Sequence, residues 1–120
     1  WPLGAVAGTR DEKGVKLLLG LYGFKDETEA LAYKGNPVDS LEPLAKAGIP
    51  LIHVVGDADT VVPPASNTDV IEQRYKALGG TVTVFRKPGV GHHPHGLDDP
   101  APLVRLIEDY TARGDAEACR

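Results

Sequence analysis

Residues 50–87, PLIHVVGDADTVVPPASNTDVIEQRYKALGGTVTVFRK, decide the fold. The piece LIHVV is short, apolar and rich in β-branched side chains, and Pro50 and Gly56 bound it. That pattern predicts a buried strand over 51–55. TDVIEQRYKALGG predicts a helix near 68–78, with Asn67 or Thr68 as cap, an apolar stripe of Val70, Ile71, Tyr75 and Leu78, and Gly79 to close it. TVTVFRK predicts a second strand over 81–85. Strand, helix and strand with short connections make a βαβ unit, whose strands run parallel with a right-handed crossover. Parallel strands end on one edge, so the loop after Gly56 and the loop after Pro88 are expected side by side. Open α/β sheets bind ligands at that carboxyl edge.

Outward from this unit the elements weaken. Residues 11–24 form an apolar segment whose Gly14 and Gly20 lower its helicity, each by about 1 kcal/mol relative to Ala. DETEALAY predicts a short helix capped by Asp26, with Glu27 and Glu29 in its first turn, and Asn36-Pro37 breaks it. DSLEPLAKAG predicts another, capped by Asp39 or Ser40 and stopped by Gly48 and Pro50. At the far end, DPAPLVRLIEDYTAR predicts a helix with Asp99 as N-cap and Leu103, Ile107 and Tyr110 on one face.

The 120 residues suit one domain, read as a weakly helical segment 1–35, a core 36–112 and a polar tail 113–120. A net charge of −4 offers no basic footprint for nucleic acid and no polybasic membrane patch. WPLGAVAGTR has neither the charged start nor the long apolar run of a signal peptide, and no apolar run is long enough for a membrane span. A cytoplasmic setting is favoured, with the compartment left open. The single Cys119 sits in the tail and cannot form an internal disulfide.

Chemistry concentrates in two loops. The stretch PGVGHHPHGLDDP at 88–100 carries His92, His93 and His95, three of the chain's four histidines. The βαβ unit sets them against Asp57 and Asp59. A carboxylate that fixes an imidazole tautomer leaves the other ring nitrogen to take a proton from a hydroxyl or water. The order Asp then His on successive strand ends is that of the α/β-hydrolases. His53, within the first strand, reads as a satisfied interior or edge residue. A metal site is the competing reading of the loop: the three histidines, with Asp98 and Asp99 nearby, supply ligands that zinc accepts. Neighbouring histidines in a Pro-interrupted loop are expected not to converge, and the helical i, i+4 pair is missing. No metal and no cofactor is therefore expected.

LIHVVGDADTVVPP followed by VGHHPHGLDDP resembles the C-terminal part of an α/β-hydrolase of the esterase and prolyl-oligopeptidase-like group. Gly56, Asp59, Val62 and Pro63 match the family pattern G-x-x-D-x-x-V-P, and Gly89, Gly91 and His92 match G-x-G-H. The resemblance spans residues 36–112 and implies a partial α/β-hydrolase fold. It makes Asp59, rather than Asp57, the catalytic acid and His92 the base; Asp57 itself reads as a turn or supporting residue. One departure is plain. The family's nucleophile motif G-x-S-x-G is absent; the two serines are Ser40, in VDSLE, and Ser66, in PASNT, and neither has the flanking glycines. The chain thus reads as the back half of such an enzyme. Its expected function is carboxylic ester hydrolysis, with a small-molecule ester as substrate. The alternatives are a non-catalytic, self-associating or partner-binding half-domain, and a small metal-binding protein with a His-rich loop. A strand edge left without its family neighbours invites pairing, so a homo-oligomer, or union with a missing N-terminal half, is expected.

Overall fold

The computed structural model describes residues 12–118, with side chains up to residue 112. Cys119 and the segment WPLGAVAGTR lie outside the described residues. Helices and strands are mixed in the order α1 (Glu12–Tyr22), α2 (Glu27–Ala32), α3 (Glu42–Lys46), β1 (Leu51–Gly56), α4 (Thr68–Ala77), β2 (Val82–Lys87) and α5 (Ala101–Ala118). Short 3-10 turns at Pro37–Asp39 and Pro64–Ser66 precede α3 and α4.

β1 and β2 pair in parallel in a two-stranded sheet, from Leu51 opposite Val82 to Gly56 opposite Lys87. This is the architecture read from residues 50–87: α/β in the coarse sense, with α4 as crossover. The strand expected to be buried is not. Every residue from Leu51 to Val55 is only half-buried, because among the described residues each strand has a single neighbour. Parallel strands normally reach full burial with strands on both sides and helices on both faces.

Tyr75 holds the unit together. It is 0% exposed, and its hydroxyl donates to the carbonyl of Ile49 at the entry to β1. On the other side its ring packs against Gly80, where a Cβ would lie 2.4 Å from it. One aromatic ring therefore joins α4 to the start of both strands. Arg86 of β2 adds contacts to Asp69 (2.8 Å) and Glu72 (2.7 Å) of α4. Exposed pairs of this kind each contribute at most about 1 kcal/mol.

The flanking segments follow the sequence with two corrections. Asp26 caps α2 by accepting from the N–H of Glu29 at 2.9 Å, as its position predicts. Neither Asp39 nor Ser40 caps α3, whose cap is Leu41 without a side-chain bond. Asp39 is taken by other partners: it accepts from Asn36 Nδ2 and from Arg74 of α4, each at 3.0 Å. Those contacts hold its carboxyl below the usual carboxylate range, Asn36 contributing most; partial burial acts against the shift, and Arg74 adds to it. The second correction concerns α5. It continues to Ala118, through much of the stretch read as a tail, and Ile107, expected on its inner face, is 47% exposed. Asp99 does serve its start, accepting from the N–H of Ala101 at 3.0 Å. Among the described residues no helix is long and apolar enough to cross a membrane.

Candidate functional site

The two loops meet where β1 and β2 end. Gly56, the last residue of β1, has no room for a side chain: a Cβ would lie 2.3 Å from the carbonyl oxygen of Val90 and 2.4 Å from that of Gly91. Glycine therefore lets the backbone of the histidine loop lie directly against β1. Three bonds stitch the loops beyond this point. Asp57 N–H donates to Lys87 O (3.2 Å), Ala58 N–H donates to Val90 O (3.0 Å), and Asp57 Oδ1 accepts from Gly89 N–H (2.6 Å). Asp57 is thus the supporting turn residue that its sequence position suggested. Gly89 takes a left-handed φ of 69°, which reverses the chain after Pro88.

That apposition brings Asp59 to His92, thirty-three residues away in sequence, with Oδ2 3.0 Å from Nδ1. The Asp59 side chain is 9% exposed and that of His92 30%. Asp59 Oδ1 is used separately, accepting from the N–H groups of Val61 (2.9 Å) and Val62 (2.8 Å). This local turn explains the spacing of D-x-V-V: both amides fold back onto the carboxylate. Partial burial opposes ionisation of Asp59. The bonds from Val62, His92 and Val61 outweigh it and keep the carboxyl below its usual range. With Nδ1 directed at a carboxylate, His92 carries its proton there and leaves Nε2 as the basic atom. Among the described residues no hydrogen bond is made to Nε2.

The histidines depart from expectation. Their rings do converge: His92 and His93 have centroids 4.8 Å apart, His92 and His95 4.8 Å, and His93 and His95 4.2 Å, all near edge-on. The loop that carries them is braced by Lys87, which sequence reasoning passed over. This buried lysine donates through Nζ to the carbonyls of Pro94 (2.8 Å) and Gly96 (2.6 Å), one on each side of His95. It folds the loop back over the end of β2. A lysine closing a strand ordinarily points into water, and the nearest sequence signal was its place before Pro88-Gly89. Asp98 and Asp99 are not part of the histidine cluster.

The remaining candidates sit elsewhere. His53 Nδ1 shares a hydrogen bond with Thr68 Oγ1 at 3.2 Å, and burial lowers its pKa, with Glu72 acting weakly the other way. Ser66 lies in the 3-10 turn before α4 and Ser40 just before α3; neither is bonded to His92. Chemically, the arrangement provides an oriented imidazole with an ionised carboxylate behind it and a second ring nitrogen that makes no hydrogen bond among the described residues. Compared with known proteins, the chain matches no family model, no curated protein and no solved structure.

Proposed function

We propose that Asp59 and His92 are the acid and base of an α/β-hydrolase-type site for carboxylic ester hydrolysis, and that this chain carries the acid–base half of that site on a partial hydrolase fold. The observation behind this reading is the 3.0 Å contact from His92 Nδ1 to an Asp59 carboxylate already fixed by two backbone amides. Nε2 of His92 takes the proton of the attacking hydroxyl and later returns it to the leaving alcohol; Asp59 holds the tautomer and stabilises the imidazolium. Because the sequence has no G-x-S-x-G, the attacking oxygen belongs to water or to a hydroxyl on another polypeptide segment.

Hydrolysis of p-nitrophenyl acetate by the tag-free chain tests this. General-base assistance contributes about 10²–10⁴-fold in a complete site, and water attack through the pair alone is expected to exceed the rate in buffer. His92→Ala is expected to abolish that margin. Asp59→Asn is expected to remove most of it and Asp57→Asn much less, since the side-chain carbonyl of an asparagine at that position can still accept from Gly89. Equal losses at the two aspartates, or a rate indifferent to His92, would overturn the assignment.

A further inference from the structure

The histidine cluster has a property that esterolysis does not use. One donor nitrogen from each of His92, His93 and His95 lies within 4.8 Å of the others. We propose that these three imidazoles form a binding site for a borderline divalent metal ion, zinc in the first instance. Zinc binds imidazole nitrogen at about 2.0–2.1 Å in a tetrahedron, which sets the nitrogens about 3.4 Å apart. The rings need to draw in by about 1.4 Å to reach that geometry. His93 and His95 are exposed, while His92 is anchored by Asp59. A ligand set of three imidazoles suits zinc, nickel or copper(II); it has no oxygen ligands to attract calcium or magnesium and no thiolate to hold copper(I).

Two features make this a built arrangement. Metal-bound histidines characteristically donate their second N–H to a carboxylate, which orients the ring and raises its basicity, and Asp59 already stands behind His92 in that position. The loop is also braced by a protein contact of its own, Lys87 on the carbonyls of Pro94 and Gly96. The fourth coordination position is left to water. A consequence follows that rests on the proposed function: zinc would occupy the same Nε2 lone pair of His92 that accepts the proton, so zinc binding and general-base turnover by His92 exclude each other.

The test is calorimetric titration of ZnCl₂ into the tag-free chain at neutral pH, with Co²⁺ as a visible-absorption probe of four-coordination. One ion per chain is expected, with a tetrahedral cobalt spectrum. Asp59→Asn should weaken zinc by about 10–100-fold, the usual cost of removing a carboxylate behind a ligand. The double variant His93→Gln/His95→Gln should lose at least as much. Zinc should also slow diethyl pyrocarbonate modification of His92, His93 and His95 in the unaltered protein while leaving His53 unprotected, a readout that needs no variant to fold. A double variant that binds like wild type, or zinc that protects none of the three rings, would overturn the site. The two readings fail separately: a titration without binding beside esterolysis that requires His92 removes the metal site alone, and tight zinc on a chain that hydrolyses no ester removes the hydrolase reading alone.

Discussion

Replacing Gly56 with alanine puts the geometry of the whole site to the test. The new Cβ would lie 2.3 Å from Val90 O, 2.4 Å from Gly91 O and 2.9 Å from Val90 C. Comfortable heavy-atom contact begins near about 3.5 Å, so the histidine loop must retreat by about 1 Å. All three atoms are backbone, and no rotamer change relieves them. Overpacking of this kind costs about 1–3 kcal/mol. The retreat also stretches Ala58 N–H to Val90 O and Asp57 Oδ1 to Gly89 N–H, now 3.0 and 2.6 Å. Each adds about 1 kcal/mol when lost. The expected total is ~3–5 kcal/mol, a large share of the ~5–15 kcal/mol that stabilises a typical domain. Gly89→Ala is the control. Gly89 has φ 69° but open space around its Cβ position, so it bears only the left-handed penalty of about 1–2 kcal/mol. Urea unfolding of the three proteins, with the His92 imidazole resonance followed by NMR, measures both effects. If Gly56→Ala cost no more than Gly89→Ala and left the His92 signal in place, the close approach of the loops would not be what aligns Asp59 with His92.

Two further outcomes are expected. His53 has a folded pKa below its unfolded value of about 6.5, so the folded state binds fewer protons and stability falls as pH drops below that point. Thermal unfolding across this range should show the fall in wild type and not in His53→Asn. The lowered carboxyls of Asp39, Asp59 and Glu72 act in a separate window, below about pH 4, where their stabilisation is lost as they protonate. Self-association is the second expectation: the strands are half-buried and Ile49 and Leu78 are each 45% exposed, so light scattering at micromolar concentration should detect an oligomer. A cooperative monomer there would refute it.

The βαβ unit and its loop apposition were legible because local signals agreed. The β-branched runs, the Gly79 stop and the acid-then-histidine order all specify one arrangement, and Asp59 lies opposite His92 as that arrangement requires. What was not legible depended on distant partners. Asp39 looks like a helix cap until Arg74, thirty-five residues on, claims it. Apolar runs such as LIHVV announce burial, but their burial depends on neighbours that the sequence of the strand does not contain. The histidine loop is braced by Lys87, a residue whose chemistry gave no hint that it would turn inward to hold two carbonyls.

The stitching of the two loops also bears on where the chain can change length. From Gly56 to His92 the polypeptide forms a closed circuit: out along one loop, back through α4 and β2, and home through the Asp57–Gly89 and Asp59–His92 bonds. An inserted or deleted residue between Gly56 and Asp59, or between Gly89 and His92, shifts one side of the circuit against the other and misaligns each bond in turn. By contrast, among the described residues the turn between α1 and α2 makes no hydrogen bond to it. Tolerance to insertion should therefore be sharply uneven, with added residues accepted near Gly23, where a Cβ meets nothing within 4 Å, and rejected across the few positions that close the circuit.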